Sequence, residues 1–517
     1  MRRLKQGMTW TPTFCSSCGD TIEEGRDPWG EHAELDALSE RLRLKRCEVK
    51  RKINHLQSPI VRQLPPDVTS TIFEFCLPFT DHHLLPCAGE DISIPLSLGA
   101  ICSYWRDIAW SSPRLWSSLV VRVTRKHDSH ITGIAQEWLA RSGQLPLTIR
   151  IYSESYNTTL IELADIINQY STRWFELDLY LPLRYYHLFH PTDNHAPILE
   201  SIRFFASACA TNLNFQLTCP RLDRASLSYF PAQRINIQWD NLTHLALHST
   251  SINDSFLILR KTSRLIFCEV SGSSGFIEPS IGPLVLTSLR SLQLMTDFNA
   301  GFLNNLTVPY LEELSLPNYY NPSMEVITSF LRRSTCSLRS FTVMFSISPT
   351  YFEGFINILQ SMPSLITLSI ISITDTTDNL DDIIPEDYDP QNILQLVAKI
   401  LSSQSASPQH GFLPNLKILE YTGKLNLRPG NYDDLHPMLP ADNVVHTPLH
   451  LLKISLNQHR IPKNMISYLL SLVQRGVTVN VLFHSEDILQ SSIDYYRLKD
   501  DFFCWDSVDN FDSSLFS

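Results

Sequence analysis

Leu289-Arg290-Ser291-Leu292-Gln293-Leu294 and, 22 residues further on, Leu311-Glu312-Glu313-Leu314-Ser315-Leu316 place leucines at i, i+3 and i+5 with polar residues between. The i+3 and i+5 side chains fall on one face of an extended strand, so each copy reads as a short strand buried on one side. Leu242-Leu245-Leu247 and Leu365-Leu368-Ile370 repeat the template clearly. Weaker copies stand at Trp174-Leu177-Leu179, Leu199-Ile202-Phe204, Leu222-Ala225-Leu227, Leu265-Cys268-Val270, Leu338-Phe341-Val343, Leu416-Leu419-Tyr421 and Leu449-Leu452-Ile454.

From Trp174 to Leu365 successive copies lie 20 to 27 residues apart, the period of a leucine-rich repeat. One such unit supplies a strand and a return segment and cannot bury its apolar face alone, so the units must stack. Several returns carry helix start signals. Ser348-Pro349 precedes Phe352, Phe355, Ile356 and Leu359, and Asp389-Pro390 precedes Ile393, Leu394, Val397 and Leu401. The step from Leu365 to Leu416 is 51 residues, with seven carboxylates and no Lys or Arg between Asp375 and Asp389. That stretch is expected to be a binding element or a solvated insert. The asparagine that many such repeats place after the strand is mostly missing. Polar and variable strand positions such as Thr243, His244, Ala246 and His248 are expected on the concave side.

Upstream of the array the character is helical. Leu35, Leu42, Val49 and Leu56 recur every seven residues and predict an amphipathic helix over 33–57, with Lys45 and Lys52 interrupting half of its seam. Val68, Ile72, Phe73 and Cys76 predict a second helix that Pro78 ends, and Leu98, Ile101, Cys102, Trp105, Ile108 and Ala109 a third that Pro95 opens. Residues 131–180 then alternate helix and strand: His130–Ser142, Leu145–Tyr152, Thr158–Tyr170 and Trp174–Tyr180.

At Leu64-Pro65-Pro66-Asp67-Val68, Ile72-Phe73, Leu77-Pro78, Pro95-Leu96-Ser97-Leu98, Ile101-Cys102, Trp105-Arg106-Asp107-Ile108-Ala109 and Pro113-Arg114-Leu115-Trp116 the sequence resembles an F-box. It is similar to the F-box-like proteins abundant in mushroom-forming fungi, which join a preceding helix to irregular leucine-rich repeats. The resemblance implies docking on the Skp-type adaptor of a cullin-RING ubiquitin ligase, with the repeats holding an unknown protein client. Carried over residue by residue, it makes Leu64, Pro65, Pro66, Ile72, Phe73, Leu98, Cys102, Trp105, Leu115 and Trp116 the core-and-docking set. The loop Phe79–Ile94 departs from the compact family pattern.

The expected fold class is therefore α/β, a small all-helical F-box module followed by an irregular leucine-rich-repeat-type solenoid. Its parts are a flexible leader at 1–32, the helix at 33–57, the F-box at 58–120, the solenoid at 121–485 with its acidic insert at 374–390, and an acidic tail at 486–517. The expected function is that of a ligase substrate receptor; a non-degradative repeat scaffold is the alternative.

The net charge is −11, with 43% hydrophobic and 18% charged residues among 517. This is a globular composition whose acidic runs disfavour a nucleic-acid or membrane partner. No apolar run reaches the length of a membrane span and the start lacks a signal-peptide core, so an intracellular protein, cytoplasmic or nuclear, with reduced cysteines is expected. Cys15-Ser16-Ser17-Cys18 has zinc-ligand spacing, but no second pair completes a tetrahedron; Cys47, His32 and His55 are weak candidates. The common catalytic and nucleotide-binding motifs are absent. No cofactor, no metal and no enzymatic activity are expected.

Overall fold

In the computed structural model the described residues are 28–57, 64–77, 94–123, 130–153, 158–191, 193–206, 215–231, 234–272, 282–295, 299–316, 324–345, 349–372, 412–423, 449–456, 461, 463–474, 476–484 and 486–506. The leader up to residue 27 with Cys15 and Cys18, the loop 78–93, the acidic insert 374–390, the helix expected after Asp389-Pro390 and the end of the tail lie outside them. The chain divides into two compact units, Met1–Ser118 with Glu137–Leu145, and Leu119–Gln136 with Pro146–Ser517.

The first unit opens with α1, Pro28–Gln57, which starts five residues before the expected helix. Proline suits a first helical turn because the N–H it lacks would have no partner there. Helices Pro66–Phe75, Ile94–Ile101 and Ser103–Ser111 and the 3-10 turn Pro113–Trp116 follow.

The single helix expected from Pro95 to Ala109 is two. Cys102 breaks it in an extended conformation (φ −156°, ψ 169°), where its Sγ accepts the Trp105 N–H at 3.4 Å and caps the second helix. The two helices cross tightly: a Cβ on Gly99 would come within 2.0 Å of Trp110 Cζ3. Phe73, Leu98, Ile108, Ala109, Leu115 and Trp116 fill the core.

Trp116 Nε1 donates to the Ala109 carbonyl at 2.7 Å, and its ring meets Trp110 and Trp138 edge-on at 5.3 and 4.7 Å. The Arg141 guanidinium lies over Trp110 and Trp116 at 4.8 and 4.9 Å, a cation–π contact. Residues 137–145, expected among the repeats, thus belong to the helical unit.

Among the described residues, the second unit is built on a sheet of fifteen strands stacked in chain order, from Ser118–Arg122 to Glu486–Asp487, with two further two-stranded sheets. Each of the eleven template copies is one strand. The other four strands are Ser118–Arg122, Leu147–Tyr152, Thr478–Phe483 and Glu486–Asp487. Successive strands from Leu147–Tyr152 to Thr478–Phe483 pair in parallel.

Template leucines stack in register, Leu292 against Leu314 and Leu314 against Phe341, and Leu289, Leu292 and Leu294 are at most 1% exposed. Full burial of such a side chain stabilises by roughly 1.5–3 kcal/mol. Return segments include helices Ile252–Leu259, Met324–Ser334 and Pro349–Gln360. The last is the helix expected after Ser348-Pro349, and its Phe355, Ile356 and Leu359 are buried. Within the stretch expected as an acidic tail, Leu489–Asp506 is a helix, and Ile488 and Ser492 just before and within it are buried.

A ladder of shared carbonyls extends the sheet at the entry to the strands. Arg290 O accepts from Glu312 N and Glu313 N (2.8 and 2.9 Å), Glu312 O from Arg339 N and Ser340 N, and Arg339 O from Ile366 N and Thr367 N. Side chains reinforce it from the position before the first template residue. Asn241, Ser288, Ser364 and Asn415 donate to the carbonyls of Pro220, Ser263, Leu338 and Pro363 at 2.9, 3.1, 2.8 and 2.9 Å. These cross-repeat bonds are made before the strand, not by an asparagine after it.

Candidate functional site

The ten residues named for the helical module separate into two sets. Phe73, Leu98, Leu115 and Trp116 are 8% exposed or less and hold the module together. Trp105 is half-buried against Phe73, ring centroids 4.9 Å apart, and Cys102 serves as the cap already described. Leu64 is half-buried with its carbonyl accepting the Tyr104 hydroxyl at 3.4 Å, while Pro65 and Pro66 are exposed at the head of the helix.

Only Ile72 of the longer apolar side chains points outward, and it has company. Val68, Ile72 and Phe75 follow one another at i, i+4 and i+7 on helix Pro66–Phe75 and are 40, 45 and 85% exposed. The neighbouring stripe, Thr69 and Phe73, is buried. Phe75 was absent from the sequence-derived set. Its signal was its place on the Val68–Ile72 stripe, one position off the buried one. Leu96 and Ile101 add 41 and 59% exposed apolar side chains on helix Ile94–Ile101.

On the repeat sheet, the face opposite the leucines is polar. A row in register runs from Arg150 and Asp178 through Ser315, Thr342 and Ser369 to Lys453 and Asn480. Ala246 lies on it, and His244 and His248 lie on its flanks. His248 Nδ1 is 2.6 Å from Ser271 Oγ. Thr243 sits just before the strand, its hydroxyl bonded to Asp223.

The row begins with an ion-pair triad in which Arg150 and Asp178 are buried and Arg203 is half-buried. Arg150 Nε donates to Asp178 Oδ2 at 3.1 Å and Arg203 Nε to Asp178 Oδ1 at 3.2 Å, with Arg150 5% and Asp178 7% exposed. Burial pushes the Asp178 carboxyl up, against the pull of Arg203 and then Arg150. Beside the triad runs an aromatic ladder. Tyr152 and Tyr180 are 6.3 Å apart, Tyr180 and Phe205 stack at 4.2 Å, and Phe205 meets Tyr229 edge-on at 5.3 Å. Sequence reading missed it, although the four aromatic residues lie at or beside the ends of four successive strands.

At the strand entries an open depression of about 400 Å3 is lined by Arg264, Ile266, Thr287, Ser288, Arg290 and Tyr310. Arg290 pairs with Glu312 at 2.6 Å and its guanidinium lies 5.6 Å from the Tyr310 ring centre. This lining holds cations and hydroxyls and no carboxylate, thiol or imidazole. Among the described residues no group of three or more His, Cys, Asp or Glu side chains could hold a metal ion. Burial pushes the thiols of Cys219 and Cys268 up to about 11 and about 12, so both stay protonated and unreactive at neutral pH. None of the described helices is long and apolar enough to cross a membrane.

The class defined by these features is a mixed α/β protein with a leucine-rich-repeat-like parallel sheet and a separate helical unit. No protein-family model matches the chain, and no curated protein matches it. Among solved structures it is similar to the crystal structure of a TLR13-ssRNA13 complex at 14% identity and a TM-score of 0.34, covering 70% of this chain and 49% of that one. The chain thus spans about half the length of that structure. At this score the likeness bears no weight, and the repeat assignment rests on the register of the strands.

Proposed function

We propose that the chain is a non-catalytic substrate-receptor adaptor. The helical unit docks a Skp-type adaptor of a cullin-RING ubiquitin ligase as an F-box, and the repeat sheet holds a protein client. One observation carries the docking half: Val68, Ile72 and Phe75 form an exposed apolar stripe on a module whose own core is already filled. The resemblance of residues 64–116 to an F-box supports it. Aromatic and aliphatic anchors of this size are favoured at binding hot spots. The long polar face of the sheet suits a protein partner, and the lining of the one depression described above sets no carboxylate, thiol or imidazole beside its hydroxyls.

Co-expression with a Skp-type adaptor tests the reading. The full chain is expected to co-purify with it, and an Ile72→Glu, Phe75→Glu variant to be recovered alone with an unchanged circular dichroism spectrum. Recovery of both with the adaptor, or of neither, overturns the docking half. Proteasome inhibition is expected to raise the level of proteins that bind the repeats. Unchanged levels with intact adaptor binding would favour a non-degradative scaffold.

A further inference from the structure

Helix α1 is thirty residues long and is solvent-exposed or nearly so at every residue whose side chain is described. Its tie to the rest of its unit includes one bond of Arg51 Nε to Ser103 Oγ at 3.1 Å. Isolated helices gain little stability without a packed face, and α1 carries a row of apolar side chains that stay exposed. Leu35, Leu38, Leu42, Val49, Ile53 and Leu56 are 61, 46, 63, 47, 45 and 67% exposed. At about 100° per residue these six lie within roughly 60° of arc, a single stripe.

The spacing of the stripe is a palindrome. Its steps are 3, 4, 7, 4 and 3 residues, so it is the same read from either end. Reversing the helix superposes Leu35 on Leu56, Leu38 on Ile53 and Leu42 on Val49. Charge is polarised along the same axis. Residues 28–40 hold Glu31, Glu34, Asp36 and Glu40 with no Lys or Arg, whereas 41–57 hold seven Lys or Arg against Glu48 alone.

From this pattern we infer that α1 pairs with α1 of a second copy of the chain as an antiparallel two-helix seam. A two-fold axis between residues 45 and 46 brings each half of the stripe onto the other half in the second copy. It also sets the acidic half of each helix beside the basic half of its mate. A parallel pairing would set basic against basic and acid against acid, which like-charge repulsion opposes. The seam spans about three heptads, near the shortest run that sustains a coiled coil. Lys45 and Arg46 occupy its centre, where two copies would bring four cations together; they weaken the pair and fix its register. This inference is independent of the docking proposal, which concerns a different helix.

Sedimentation of the full chain tests it, with orientation read from cysteine pairs. The chain is expected to dimerise reversibly at micromolar concentration, Leu42→Glu with Val49→Glu to be monomeric with the unfolding transition of the repeat sheet unchanged, and Arg46→Leu to tighten the dimer at least tenfold. Under mild oxidation a mixture of Leu35→Cys and Leu56→Cys chains is expected to gain a cross-link that neither gains alone over the parent chain. A parent chain that stays monomeric, a dimer that survives the Glu variants, or Leu35→Cys cross-linking to itself would overturn the inference.

Discussion

In the four clearest repeat copies every template residue, from Leu242 to Ile370, is at most 1% exposed, whereas in the helical unit Val68, Ile72 and Phe75 are 40, 45 and 85% exposed. Both regions carry apolar residues at regular spacing, yet only the sheet covers them. Each strand finds its neighbour in the same chain, so stacking completes the burial and leaves a polar face outward. A helical module of fewer than about 60 residues has room for only a small core. Phe73, Leu98, Leu115 and Trp116 take it, and the adjacent stripe stays exposed. The same periodicity therefore ends in burial in one unit and in part in exposure in the other.

Substitutions can break that distinction. The largest effect is expected at Asp178→Asn in the repeat unit, which leaves Arg150, 5% exposed, without its carboxylate and costs about 3–5 kcal/mol in urea unfolding. Glu312→Gln, in the exposed pair with Arg290, is expected to cost under about 1 kcal/mol. Next is Leu368→Ala, at about 2–5 kcal/mol from a cavity among stacked leucines, against about 0.5 kcal/mol or less for Phe75→Ala. Equal losses at these two sites would erase the contrast.

Gly99→Val sharpens the contrast within the helical unit. It forces a side chain into the Trp110 ring and should cost about 1–3 kcal/mol, read as an earlier transition in tryptophan fluorescence. Asn415→Ala removes a single cross-repeat bond to Pro363, with an expected loss of about 0.5–1.5 kcal/mol and no change in circular dichroism.

The repeats were legible because the template at i, i+3 and i+5 is dictated by strand alternation plus a closing turn, a pattern few other structures require. Strands Leu147–Tyr152 and Thr478–Phe483 escaped it. The first departs by a register shift between Leu147 and Thr148, and the second alternates Val477, Val479 and Val481 without the i, i+3 step. Cys102 escaped because apolar spacing continues through it from Leu98 to Ala109, and a thiol is a poor guide to a helix cap. Glu486–Asp506 looked solvated by charge, although Ile488 and Ser492 are buried there. In the helical module the ten residues were legible as a set but not as core versus surface. Phe73 and Ile72 differ by one position in sequence and by 1% against 45% exposure, a difference set by tertiary packing alone.

Titration calorimetry of the full chain with a purified Skp-type adaptor, alongside thermal unfolding, tests the central claim most directly. The account predicts that Ile72→Glu with Phe75→Glu weakens binding at least 100-fold, about 2.7 kcal/mol, with the unfolding temperature unchanged. Binding of equal strength in both proteins, or no binding by the parent chain, would contradict it.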